Sequence, residues 1–399
     1  MRQRFLACQQ VYPLRKPKIG SMQSKVSMLQ IGMTASRLGR SGTDRYFLAL
    51  TRALEDQGCI VRGVVIGDPL EAGAIAGIES FAPNGAGRLR RWIGLRRAVK
   101  RLRGDATLVA SHCAAHAFPV LDLLGDRPLI AHFHGPWAIE ARTGGLGPLT
   151  INARRVEEFA TYRRAKHFIT VSHAFRRILE SQYGVDPARI EVIPCGVDIT
   201  QFRIEGSRED ARRALGWPLD RRIVLIAARL VTGKGIDVLI DAIGEVRRRH
   251  TDVLLQIVGT GPLDVELRAR VRERELERWV NFAGFFDDEM ALAYRAADFS
   301  VVASSGLEGF PLTVPESLAC GTPVLVTPRG GLPEAVAALD PGLIFAGCSV
   351  ADIASGINAA LDGTSRLPGA QACSDYAQRF DWTVIAQAVR TVYDEALKR

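Results

Sequence analysis

The stretch Arg222-Ile-Val-Leu-Ile-Ala-Ala-Arg229-Leu-Val-Thr-Gly-Lys234-Gly235-Ile236-Asp-Val-Leu-Ile-Asp-Ala-Ile-Gly-Glu-Val246 decides the fold. Residues 222–227 read as a short apolar strand of the kind buried on both faces of a parallel sheet. Two cations and two glycines follow it. Apolar residues at helical spacing then run from 236 to 248. Strand, loop and helix in that order make one step of an alternating α/β fold.

The same alternation extends in both directions. Downstream, strands are predicted at 253–258, 279–282, 299–303 and 323–327, with a helix over 262–276. Upstream, they are predicted at 28–33, 61–66, 107–110, 129–133, 167–171 and 191–193. A helix over 43–57 places Phe47, Leu50 and Leu54 on one face. The expected fold class is α/β, with two Rossmann-like parallel-sheet domains facing across a cleft. The expected limits are a basic leader at 1–27, a first domain at 28–203 and a second at 204–380. A terminal helix at 381–399 is expected to pack back on the first domain. The linker is placed near 200–206, where Gly206 and Ser207 interrupt the pattern. Met22 and Met28 are alternative starts. Ligands of such folds bind outside the carboxyl ends of the strands.

Composition narrows the function. Of 399 residues, 47% are apolar, enough for packed cores and too many for a disordered chain. The 52 Lys and Arg exceed the 43 Asp and Glu, which favours an anionic partner. No apolar run approaches the ~18 residues of a spanning helix. The patch Phe5 to Cys8 is too short for a secretory signal. The seven cysteines form no CxxC pair, which points to a reducing cytosol rather than a disulfide framework.

Five segments could carry chemistry. In Glu308-Gly-Phe-Pro-Leu-Thr-Val-Pro-Glu316, two carboxylates flank a loop after a predicted strand. Thr313-Val-Pro-Glu316 also has the form of a capping box, so a helix is expected to start there. Its N–H groups and dipole would suit a phosphate. The plainer alternative is that Glu316 caps the helix and Glu308 is a loop carboxylate. In Arg229 to Gly235, two cations at a strand end could neutralise a diphosphate, or form a solvated turn. A unit charge pair at 4 Å is worth about 4 kcal/mol at an effective dielectric near 20. In Gly39-Arg-Ser-Gly42-Thr-Asp-Arg45, small residues let backbone approach a ligand. In Ala131-His132-Phe133-His134-Gly135, the strand's end favours His134 over His132 as a cleft residue. No third ligand stands at a recognisable spacing, so no metal is expected. The run from Gly87 to Arg103 carries eight cations and no acid, with Trp92, Leu95, Val99 and Leu102 on one helical face. It is expected to pack its apolar stripe inward and to offer its basic face, residues 88–103, to an anionic membrane surface. Nucleic-acid motifs are absent, and no nucleic-acid partner is expected.

Taken in order, seven segments resemble the family-4 retaining glycosyltransferases of the GT-B fold, also called glycosyl transferases group 1. They are Ser41-Gly42-Thr43, His132-Phe-His134-Gly-Pro-Trp137, Ile193-Pro-Cys-Gly196-Val-Asp198, Arg229 to Gly235, Val258-Gly259-Thr-Gly261-Pro262, Phe282-Ala-Gly284-Phe285 and Glu308 to Glu316. The resemblance runs from about Met28 to the C-terminus. It implies that a hexose, mannose or glucose first, moves from a nucleotide-diphosphate sugar to a hydroxyl with retention. It gives Glu316 the donor ribose. Glu308 and the backbone of Gly309, Phe310, Pro311, Leu312 and Thr313 would hold the sugar and diphosphate. Arg229 and Lys234 would neutralise the leaving phosphates, and Gly42 would approach them. Gly259 and Gly261 would line the donor site, Phe285 would sit near the base, and His134 would lie near the anomeric carbon. No metal or other cofactor is required, and no DxD motif is present. Cys195 and Pro311 depart from the family pattern, at positions where Asn and Gly are common.

The expected enzyme is cytoplasmic, peripheral on the inner face of the membrane, and acts on a lipid-linked or glycan acceptor in surface glycan synthesis. The alternatives are a small-molecule glycosyltransferase and a non-catalytic nucleotide-sugar-binding scaffold.

Overall fold

A computed structural model describes residues 26–35, 41–68, 77–143 and 147–398. The leader up to residue 25, and Gly39 with Arg40 of the first glycine-containing loop, lie outside the described residues. The chain divides into two compact units.

The first unit takes the described residues up to Gly196 together with those from Trp382 onward. Its sheet has seven parallel strands: β1 (Ser27–Ala35), β2 (Ile60–Gly67), β3 (Ile78–Ala82), β4 (Leu108–Ser111), β5 (Leu129–Phe133), β6 (His167–Thr170) and β7 (Ile190–Val192). Their order is β3-β2-β1-β4-β5-β6-β7, so the winding reverses between β1 and β4. β3 was not expected from sequence. Its Ile-Glu-Ser-Phe-Ala is short and its apolar residues are interrupted by Glu79 and Ser80, as an edge strand can be. The helix Gly42–Asp56 is capped by Ser41, whose side chain accepts from the Asp44 N–H. It buries Phe47 against Val65 and Ile78. Gly32 lets that ring approach, since a Cβ there would lie 2.9 Å from Phe47.

The second unit spans Val197–Asp381. Its parallel strands are β8 (Arg222–Ala227), β9 (Val253–Val258), β10 (Val280–Gly284), β11 (Phe299–Val302) and β12 (Val324–Val326), in the order β10-β9-β8-β11-β12. Here the winding reverses between β8 and β11. β8 and β9 are in register from Arg222 opposite Val253 to Ala227 opposite Val258. The apolar cores of these strands are buried, which explains their unbroken hydrophobic runs.

The boundary falls at Gly196 and Val197 rather than at 203 and 204. The reason is local. A Cβ on Gly196 would meet the Trp382 ring at 2.4 Å, so this backbone is packed into the first unit. The next residue, Val197, donates its N–H to Phe380 O at 2.7 Å in the second. The terminal helix Trp382–Lys398 belongs to the first unit. Gln57 Nε2 donates to Thr383 O at 2.8 Å, and Lys166 Nζ to Ala396 O at 3.0 Å.

Candidate donor and histidine sites

Because all strands of the second unit are parallel, every loop after a strand emerges at one edge. Arg229 and Lys234 follow β8, Gly259 and Gly261 follow β9, and Phe285 follows β10. Glu308 to Thr313 follow β11. The sheet thus brings together the candidate donor residues of the second unit, whereas Gly42 lies in the first. The two loops flanking the reversal, after β8 and β11, are joined by an ion pair between Lys234 Nζ and Glu308 Oε1. Ser304 Oγ donates to the same oxygen at 2.8 Å. The pair lies at the point where doubly wound folds bind ligands.

Glycines make this edge possible. Gly235 sits at φ +67°, and a Cβ there would lie 2.0 Å from Ala303 O. Gly259, at φ +140°, would place a Cβ 1.9 Å from Ala228 O. Gly330 does the same to Glu308 O from the turn after β12, and Gly331 donates its N–H to that oxygen at 2.9 Å. The turn therefore anchors the backbone that carries Glu308.

Glu316 is 2% exposed and accepts from Tyr294 Oη at 3.2 Å. It does not close a capping box. The helix Thr313–Ala319 has Leu312 at its N-cap and no side-chain cap. Thr313 already has helical backbone, which puts Glu316 at the fourth helical position, one beyond reach of a cap. This corrects the expected capping box. Phe310 is buried against Phe380, ring centroids 5.3 Å apart, so its side chain anchors the loop. The N–H groups of Phe310, Leu312 and Thr313 make no backbone hydrogen bond among the described residues. Phe285 is 52% exposed. Arg229 is exposed and has no carboxylate partner among the described residues.

In the first unit, β5 ends at Phe133, and His134 is the first residue beyond it. His132, within the strand, is buried and lies 2.7 Å from Tyr393 Oη through Nε2. The third histidine that spacing did not reveal is His112, the residue after β4. The rule that singled out His134, its place after a parallel strand, would also have found it. His112 Nδ1 lies 3.1 Å from His134 Nε2. Ligand atoms of the three lie within 4.8 Å of one another. They are poorly arranged for a metal. His112 and His132 are stacked at 4.2 Å with planes 21° apart. Imidazole lone pairs lie in the ring plane, and stacked rings do not direct them to one point about 2.0–2.1 Å away. Burial holds the proton affinity of all three below that of a free histidine, with His134 lowered to about 4.

Gly42 opens the helix Gly42–Asp56, and a Cβ there would meet no atom within 4 Å. Cys195 is buried in the first unit, and desolvation pushes its thiol up to about 12. It is a packing residue there, not an exposed polar contact. On the helix Arg88–Leu102, Leu95, Val99 and Leu102 face the core. The basic face is narrower than the sequence implies. Arg88 pairs with Glu157, Arg96 with Asp122 and Arg101 with Glu79, while Arg103 donates to Leu123 O. Arg90, Arg97 and Lys100 are exposed without a carboxylate partner among the described residues. Among those residues no helix is long and apolar enough to cross a membrane.

Two doubly wound parallel sheets define a GT-B protein, and solved structures agree. Sucrose-phosphate synthase from Thermosynechococcus elongatus is 22% identical, with a TM-score of 0.76 over 93% of this chain and 98% of that one. Anabaena HepE, solved in complex with UDP, is 21% identical with a TM-score of 0.74 over 93% and 100%. The pattern of Glycosyltransferase Family 4 matches residues 40–201, and that of Glycosyl transferases group 1 matches 207–380. A D-inositol 3-phosphate glycosyltransferase of Corynebacterium aurimucosum is 33% identical over 69% of this chain and 68% of its own length. The chain belongs to the family-4 glycosyltransferases. In two other relatives, from Corynebacterium kroppenstedtii and Catenulispora acidiphila, the match spans 57% and 53% of their lengths, at 29% and 34% identity. Both are also named D-inositol 3-phosphate glycosyltransferases, so the chain spans little more than half the length of these relatives.

Proposed function

We propose that this protein transfers a hexose from a nucleotide-diphosphate sugar to a hydroxyl, with retention and without a required metal. The observation that carries the reading is the Lys234–Glu308 pair at the reversal of the second sheet. A donor diphosphate entering there would draw Lys234 from the carboxylate, with Arg229 as a second cation. Glu308 would then be available to sugar hydroxyls, Glu316 to the ribose and Phe285 to the base. Gly259 and Gly261 let the loop after β9 close on the backbone of Ala228 and Leu230, which shapes the edge the phosphates would meet.

In the reaction, the anomeric carbon–oxygen bond to the diphosphate breaks and a bond to the acceptor oxygen forms on the same face. The acceptor's proton passes to an oxygen of the departing phosphate. Arg229 and Lys234 oppose the negative charge that grows on that group, which is where fixed charges accelerate such a step. His134 would hold a hydroxyl by hydrogen bonding.

For the acceptor, we propose a lipid-linked or glycan hydroxyl in surface glycan synthesis. Arg90, Arg97 and Lys100 would hold the enzyme on the anionic inner membrane face. A second reading is a small phosphorylated polyol, favoured by the relatives named D-inositol 3-phosphate glycosyltransferases. Calorimetric titration with UDP, GDP and ADP sugars tests the donor half. Saturable binding of one of them is expected, and no binding of any would reject it.

A further inference from the structure

Behind His134 the first unit holds a line of polar side chains drawn from three elements. Gln30 lies in β1, His112 follows β4 and His134 follows β5. His112 Nε2 lies 3.0 Å from Gln30 Oε1, and His112 Nδ1 lies 3.1 Å from His134 Nε2. Gln30 is fully buried and His112 nearly so. The other end of the amide, Gln30 Nε2, lies 3.6 Å from Met28 Sδ. A thioether is a weak acceptor and no donor, so it favours the amide N–H group over the amide oxygen. Met28 thereby sets which end of Gln30 faces His112.

The proton positions follow in sequence. A carbonyl oxygen only accepts, so His112 donates from Nε2. A neutral imidazole carries one N–H, so His112 Nδ1 accepts and His134 donates to it from Nε2. His134 Nδ1 is left with its lone pair. Among the described residues, the rings packed against this line are uncharged. His132 stacks on His112, the Tyr46 ring lies 4.8 Å from that of His134, and Phe47 meets His112 edge-on. Burial keeps the histidines neutral.

We propose that Gln30 and His112 are positioning residues that lock His134 in its Nε2–H tautomer, making Nδ1 an acceptor for a substrate hydroxyl. The substrate half rests on the role of His134 given above, whereas the tautomer half stands on the free protein. With Gln30 reversed, every proton in the line would move over. His134 would then carry Nδ1–H and could no longer accept from a hydroxyl there.

Two measurements test this. Long-range nitrogen–proton NMR on the full chain at pH 7, without substrate, reads each tautomer, with His134→Gln assigning the resonance. Nε2–H on both His134 and His112 is expected, and Nδ1–H or an imidazolium on His134 overturns the proposal. The second measurement compares two substitutions at Gln30. Gln30→Glu keeps an acceptor facing His112, so activity within about three-fold of the parent is expected. Gln30→Leu removes it, and a kcat at least about ten-fold lower with donor KM little changed is expected. A purely structural role predicts the reverse ranking, because Glu buries a charge and Leu does not; that ranking, or a fully active Gln30→Leu, overturns the proposal. If Gln30→Leu does not fold, the NMR of the parent decides. Correct tautomers in a protein that binds no nucleotide sugar would reject the donor reading and leave the histidine line standing.

Discussion

Lys234 and Glu308, from loops after strands that are neighbours in space and far apart in sequence, form an ion pair at the reversal of the second sheet. Each neutralises the other. A diphosphate that reaches Lys234 would compete with Glu308 for its charge. Lys234→Ala is expected to lower kcat at least about 10²-fold, since it removes charge where the leaving group develops it. Glu308→Gln is expected to tighten free nucleoside-diphosphate binding while slowing transfer. Calorimetry and initial rates check both. Activity of Lys234→Ala within a few-fold of the parent would contradict the assigned role.

Glu316 has a structural and a proposed functional duty, and two substitutions separate them. Glu316→Ala removes the carboxylate that accepts from the buried Tyr294 hydroxyl, and a hydrogen bond to a charged group is worth about 1.5–3 kcal/mol of stability. Glu316→Gln keeps an acceptor for that hydroxyl. It should unfold in denaturant close to the parent while binding the donor more weakly. Equal donor affinity in Glu316→Gln and parent would remove Glu316 from the ribose.

The strands and the loops that follow them are legible because a buried parallel strand has a simple signature and its loop lies next to it in sequence. Placing Arg229, Lys234 and Glu308 at one sheet edge needs only that local rule. The short strand Ile78–Ala82, interrupted by Glu79 and Ser80, has no such signature. Nor could sequence show that Glu316 faces Tyr294 or that Gly330 supports Glu308 O, since both depend on how separate loops meet. His112 is hidden for a different reason. Spacing along β5 pairs His134 with His132, whereas its hydrogen-bonding partner follows β4, the adjacent strand in the sheet.

The histidine line gives stability a definite pH dependence. His112, His132 and His134 all bind protons less readily folded than unfolded. Between pH about 6.5 and the folded value of about 4 for His134, the unfolded chain holds the extra protons. Stability should therefore rise with pH through this window and fall on acidification, by up to about 1.4 kcal/mol per pH unit for each histidine. Urea unfolding at pH 7.5, 6, 5 and 4.5 reads the slope. A flat profile would show that the rings titrate normally.

The exposed cations of the helix Arg88–Leu102 test the membrane reading separately from catalysis. Changing Arg90, Arg97 and Lys100 together to Glu leaves the buried face of Leu95, Val99 and Leu102 in place, so the melting temperature should change little. Co-sedimentation with vesicles rich in anionic lipid should fall sharply, and the parent's binding should weaken with added salt. Binding of the parent equal to that of the triple variant would remove this helix as the docking face.

Gly235 offers a steric test of the donor loop that involves no charge. It holds φ +67°, and a Cβ would lie 2.0 Å from Ala303 O, an atom of the loop that leads to Ser304 and Glu308. Gly235→Ala adds left-handed strain of about 1–2 kcal/mol to that clash, so the two loops must separate. Lys234 and Glu308 would lose their pairing although neither is altered. The expected result is a lower melting temperature and donor affinity reduced at least about ten-fold. As a control, Gly42→Ala in the first unit meets no atom and should leave the melting temperature unchanged. If Gly235→Ala bound the donor as the parent does, contact between these loops would not be what positions the two charges.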